Sequence, residues 1–161
     1  MPKQHSLGTH TRRPSHATPK REGRRTTYQE VSMLALGIVL AHLVGDYLIQ
    51  SHWMATEKTK RWWPAIAHGL TYTLPYLFVT QSPLALLVIA STHIVIDRLR
   101  LAKHVVWFKN QFAPKAFRPI WSDAKATGYP SETPAWMSVW LMIVADNTIH
   151  LLINTAAVLW L

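Results

Sequence analysis

Three pairs of ionisable residues stand four apart within apolar stretches: His42 and Asp46, His93 and Asp97, Asp146 and His150. Residues at i and i+4 share one face of a helix, so each pair can aim two donors at a common point. Paired histidines in HExxH helices grip zinc by the same geometry. His68, in another apolar stretch, adds a seventh candidate ligand. Imidazole nitrogens and carboxylate oxygens without sulfur suit Zn2+ or Mn2+ best, with Mg2+ behind. Four His and three Asp could hold one divalent ion generously, or two ions with bridging carboxylates. An ion of this kind makes a bound water easier to deprotonate and so promotes attack on an ester or phosphoester. Asp146 could serve as general base instead of ligand. Two other readings share the pattern: a metal-free buried His–Asp network, and a proton or ion pathway.

The elements that carry these residues read as membrane helices. A spanning helix needs about 20 apolar residues. Four segments qualify, at about 31–50, 62–80, 83–99 (which is short) and 135–161. The expected fold is therefore all-α: a polytopic helical membrane protein with about four transmembrane helices. Only Gln81, Ser82 and Pro83 join the second and third segments, which predicts a tight helical hairpin. The connection from about 100 to 134 mixes Trp107, Phe108, Phe112, Phe117 and Trp121 with Lys103, Lys109, Lys115 and Arg118. That mixture suits a segment lying on head groups, or a lid.

Carboxylates in such helices are costly. Three unpaired Asp at mid-membrane depth would cost on the order of 8–10 kcal/mol, so pairing, protonation, water or a metal must offset them. Depth supports a common site. Antiparallel alternation brings His42, Asp46, His68, His93, Asp97 and Asp146 toward one half of the membrane, and His150 fits least well.

Composition sets the boundaries of the reading. The chain has 161 residues, a net charge of +9 and no cysteine, which excludes disulfides, thiol nucleophiles and cysteine-based zinc sites. None of its six glycines forms a phosphate-binding loop. Residues 1–28 hold seven of the 17 Lys and Arg and almost no large apolar residue. This basic N-terminal tail is expected to be disordered. Expected partners are the lipid bilayer and its anionic head groups, held by the tail and the basic links. Nucleic acid is not expected, and a homo-oligomer is compatible with the sequence. A removable signal peptide is not expected either. Basic residues fall on both sides of the spans, leaving the orientation open.

Supporting positions follow the same faces. Gln50 lies one turn beyond Asp46 and could be an outer hydrogen-bond donor. Tyr72 lies four after His68. Lys58 or Lys60 could meet an anionic head group, and Gly45 could admit a neighbouring helix or substrate. His52 and His104 are weaker ligand candidates.

The stretches HLVGDYLIQ (42–50), WMATEK (53–58), HGLTY (68–72), HIVID (93–97) and DNTIH (146–150) resemble a known pattern. It is that of an uncharacterised family of small bacterial and phage multi-pass membrane proteins, a domain of unknown function. Its signature is HxxGDxxxQ, a Lys, HxxxY, HxxxD and DxxxH. The resemblance covers most of 32–155 and leaves out the tail. More distantly, the layout is similar to LexA-regulated inner-membrane metal-dependent hydrolases, which implies a reaction class. The expectation is a membrane-embedded metal-dependent hydrolase in a bacterial inner membrane, acting on a lipid or lipid-linked phosphoester. The alternatives are a proton or metal-ion channel or transporter, and a non-enzymatic phage membrane protein such as a lysis or exclusion factor.

Overall fold

The computed structural model describes residues 19–161, with side chains described from residue 27. Among the described residues every regular element is helical. The expected disordered tail lies outside the described residues as far as residue 18. Its remainder differs from the expectation: α1 spans Pro19–Leu43 and so begins well inside the basic segment. A proline as first helical residue sacrifices no hydrogen bond, and the Lys, Arg and Glu that follow are good helix formers.

The chain divides into two compact units, residues 1–32 and 33–161. The described part of the first is the N-terminal portion of α1, where Tyr28 and Val31 are exposed. The second begins at Met33 and holds the remaining elements. There α1 passes into a π-helical turn, Val44–Ile49, which ends at Gln50 in extended conformation. Helix α2, His52–Glu57, is capped by the Ser51 hydroxyl, which accepts from the Met54 amide. Helix α3 covers Trp62–Thr73 and tightens into a 3-10 turn at Leu74–Phe78. Pro75 has no amide hydrogen and cannot extend the α-helical ladder, so the expected segment at 62–80 is not one continuous α-helix.

Helix α4, Pro83–Leu99, starts at the Ser82 cap with Pro83 in its first turn. Left-handed Arg100 (φ 51°) ends it. The connection is folded rather than loose. It forms α5 (Leu101–Asn110), a 3-10 turn (Lys115–Phe117) and α6 (Trp121–Ala124). The Trp107 indole donates to Pro119 O at 3.1 Å, and His104 stacks on Trp121. Helix α7, Ala135–Trp160, closes the chain.

Helix α3 packs on α4, α4 and α5 pack on α7, and the π-helical turn packs on α3. Two glycines permit close approaches on α3 and its neighbours. A β-carbon on Gly45 would sit 2.9 Å from Tyr72 O and 3.2 Å from its Cα, and one on Gly69 would meet Ile94 and Ala90 O. Ile38, Ala41, Tyr72, Tyr76, Ala85, Ile89 and Ala157 form the apolar core.

Among the described residues two helical stretches are long and apolar enough to cross a membrane, Thr27–Ile49 and Ala135–Trp160. Only 28% and 17% of their apolar windows are buried, unlike core helices of a soluble protein. The break at Pro75 and the 17-residue length of α4 keep the other two expected spans from meeting the same criterion. Polarity is inverted in this unit. His42, His68, His93 and His150 are at most 1% exposed, whereas Leu48, Phe78, Leu87 and Leu152 face outward.

Candidate metal centre

Five helical segments deliver the ionisable set to one place. His42 comes from the end of α1, Asp46 from the π-helical turn, and His68 from α3. His93 and Asp97 come from α4, and Asp146 and His150 from α7. The wider i→i+5 turn around Asp46 is a local departure of the kind often found at functional sites.

The histidines aim Nε2 inward. His68 Nε2 and His93 Nε2 are 2.9 Å apart. Asp46 Oδ1 is 3.1 Å from the first and 3.5 Å from the second. Asp97 Oδ2 is 3.4 Å from His68 Nε2 and 3.1 Å from His93 Nε2. A divalent ion with donors at about 2.1 Å separates neighbouring donors by about 3.0 Å in an octahedral shell and about 3.4 Å in a tetrahedral one. The two nitrogens have that spacing from each other and from each of the two oxygens.

The remaining carboxylate oxygens point away from this quartet. Asp46 Oδ2 is 3.6 Å from His42 Nε2. Asp97 Oδ1 and Asp146 Oδ2 are each 3.6 Å from His150 Nε2. Such separations are too long for hydrogen bonds but suit ligands of one ion. His42 Nε2 and His150 Nε2 are buried without hydrogen-bond partners. Two buried triads, Asp46–His68–His93 and His93–Asp97–His150, each bring donor atoms within 4.8 Å and could hold a metal ion. The donor chemistry and the orphaned nitrogens therefore fit a divalent cation.

A buried polar layer supports the donors. Tyr72 stacks on His93 with centroids 3.6 Å apart, and its hydroxyl lies 2.8 Å from His42 Nδ1. The Asn154 amide donates to the hydroxyl oxygens of Tyr72 (2.5 Å) and Tyr76 (2.6 Å). Tyr76 donates to Ile38 O at 3.3 Å. Asn154 and Tyr76 were not among the expected site residues. The signal was the same spacing carried one turn further, from Asp146 and His150 to Asn154 and from His68 and Tyr72 to Tyr76.

The other expected positions fall into place unevenly. Lys58 points inward, with Nζ 2.7 Å from Asp97 Oδ2, whereas Lys60 pairs with Glu57 on the surface. Gln50 ends the π-helical turn with its Oε1 buried and unpartnered. Asp146 is the least buried of the set, its side chain 27% exposed. His150, the poorest fit by depth, reaches the centre. His52 caps no helix here and lies exposed, and His104 is bound up with Trp121.

No curated protein and no solved structure matches the chain. A family model matches residues 34–118, a stretch that includes His42, Asp46, Lys58, His68, Tyr72, His93 and Asp97 and stops before Asp146 and His150. Because that is more than half of its length, the chain belongs to the family described as protein of unknown function, DUF3307.

Proposed function

We propose that the protein is a membrane-embedded hydrolase whose centre holds two divalent ions. The observation that carries this reading is the division of two carboxylates. Asp46 and Asp97 each turn one oxygen to the His68–His93 pair and the other to His42 or His150. His68, His93, Asp46 and Asp97 would hold one ion. His42 and His150, with the second oxygens of Asp46 and Asp97, would hold the other. Zn2+ or Mn2+ suits this sulfur-free set best. Divalent ions here would polarise a carbonyl or phosphoryl oxygen and acidify water.

The chain's own residues have defined tasks in this scheme. His42 presents Nε2 to the centre when its Nδ1 proton is donated to the Tyr72 oxygen. Tyr72 and Asn154 thereby set its tautomer and angle. The Tyr72 ring orients His93. Asp146, at the most accessible edge, accepts a proton from the attacking water as general base. The resemblance to LexA-regulated membrane hydrolases points to the same reaction class.

Membrane embedding is supported by the two long apolar helices and by the inverted polarity around them. Helix α3, the 3-10 turn that follows it and α4 present Leu70, Leu74, Leu77, Leu84 and Leu87 outward, which suits hydrocarbon contact and a four-span arrangement in a bacterial inner membrane. The cations then offset the cost of three carboxylates at that depth.

The test is turnover of p-nitrophenyl phosphate and bis-p-nitrophenyl phosphate by detergent-purified protein. Release is expected to stop with EDTA, to return with Zn2+ or Mn2+, and to be lost in Asp146→Asn. Release that survives EDTA and the variant alike would contradict the proposal.

A second reading, a proton or ion translocator, draws on the hydrogen-bond chain His42–Tyr72–Tyr76. That chain ends at the Ile38 carbonyl within the apolar core, where nothing continues a path. Flux into liposomes without turnover would favour it.

A further inference from the structure

One cavity opens onto the candidate centre. It has a volume of about 330 Å³ and is lined by Lys58, Asp97, Arg100, Lys103, Met142 and Asp146, among others. Its chemistry is two-sided. Asp97 and Asp146 are candidate ion ligands, and three cationic side chains share the same walls. The cations come from three separate places: the end of α2, the left-handed residue between α4 and α5, and the first turn of α5.

The cations are not neutralised to the same degree. Lys58 is paired with Asp97. Arg100 donates to Ala126 O and Lys103 lies over the Trp121 ring, so neither contact supplies a countercharge. Partial burial and the nearby Arg100 cation hold the Lys103 ammonium below the usual lysine range. Two like charges held together in this way favour an anion between them. The proposed two-ion centre adds to the demand. Two divalent ions and the Lys58 ammonium exceed the three carboxylates by two positive charges, and a surplus at that depth calls for a compensating anion.

We infer that this cavity is the substrate site and that it receives the dianionic phosphate of a phosphate monoester. Arg100 and Lys103 hold its outer oxygens, Lys58 meets it at the ion-ligating wall, and Met142 contacts the organic group. The inference rests on the hydrolase reading above. A lipid source suits the surroundings: Trp62 and Trp63 beyond Lys58, Phe108 on α5 and Phe112 just after it are exposed aromatics of the kind that sit at head-group level. A water-soluble phosphate monoester shares the same head chemistry.

The experiment is calorimetric titration of the full-length metal-loaded protein in detergent. The probes are dihexanoyl phosphatidic acid, inorganic phosphate and dihexanoyl phosphatidylcholine, with metal content measured on each sample. Both phosphate monoanion/dianion probes are expected to bind, and phosphatidylcholine is not. Arg100→Gln/Lys103→Gln is expected to weaken binding by about tenfold or more, the order expected for lost charge-assisted hydrogen bonds, with metal content unchanged. Arg100→Lys/Lys103→Arg keeps both charges and is expected to retain most of the affinity. Phosphatidic acid binding well above inorganic phosphate would assign a lipid source; equal binding would assign a soluble one.

Unchanged affinity in the Gln variant, or equal binding of phosphatidylcholine, would overturn the inference. Wild-type protein that binds phosphate through Arg100 and Lys103 but takes up no metal and releases no p-nitrophenol would instead overturn the hydrolase reading and leave the anion site standing.

Discussion

His68 Nε2 and His93 Nε2 lie 2.9 Å apart on neighbouring helices, buried, with a carboxylate oxygen on either side. One proton at most can sit between two such nitrogens. A cation that takes both lone pairs satisfies them together, and Asp46 and Asp97 then extend the arrangement to His42 and His150. One kind of ligand would thereby account for these buried ionisable groups.

The hydroxyl of Tyr72 is expected to matter more than its ring. Tyr72→Phe keeps the stacking on His93 but deprives His42 Nδ1 and the Asn154 amide of a partner. Loss of an outer partner of this type typically weakens metal affinity by about 10–100-fold. Competition with a fluorescent chelator measures it. Affinity equal to wild type would remove Tyr72 from the support layer.

Asn154→Leu is expected to destabilise the fold by about 1–3 kcal/mol, the cost of leaving buried polar groups unpaired. Both Tyr72 and Tyr76 lose a donor in this variant. Thermal unfolding in detergent, followed by circular dichroism, reads the effect. A neutral outcome would mean that water replaces the amide.

The ladder of fours was the most legible feature of the sequence. Apolar run length located the helices carrying His42, His68, His93 and Asp146, and the spacing of four put each pair on one face, because a helix face is a local property. What it could not reach was relational. The inward turn of Lys58 onto Asp97 depends on where α2 lies against α4. The π-helical turn at Val44–Ile49 depends on the close approach that Gly45 permits to Tyr72. Asn154 was within reach of the same periodicity, but an amide in an apolar run carries a weaker signal than a charge. The early start of α1 at Pro19 reflects helix propensity outweighing a composition typical of disorder.

Lys58→Met removes the ammonium that faces Asp97 Oδ2 at 2.7 Å. Breaking a buried pair from one side costs about 3–5 kcal/mol. The loss is expected to be large in EDTA-treated protein and small in metal-loaded protein, where the cations supply the countercharge. Unfolding midpoints with and without metal test this. An equal shift in both conditions would argue against metal at Asp97.

Gly45→Val is expected to destabilise the fold by about 1–3 kcal/mol through overpacking against the Tyr72 backbone. The contact is with the Tyr72 ring and with its backbone atoms, and the backbone cannot swing aside. Gly37→Ala is the control, since its nearest neighbour would be a Val79 methyl at 3.5 Å. Equal stability of the two variants would show that the π-helical turn and α3 are further apart than this.

The most direct test of the two-ion centre is metal content by mass spectrometry. It would be measured on detergent-purified protein after incubation with Zn2+ or Mn2+ and removal of free ion. Wild-type protein is expected to carry two equivalents. His42→Ala/His150→Ala and His68→Ala/His93→Ala are each expected to keep about one, and Asp46→Ala/Asp97→Ala none. Folded wild-type protein without stoichiometric metal would contradict the account.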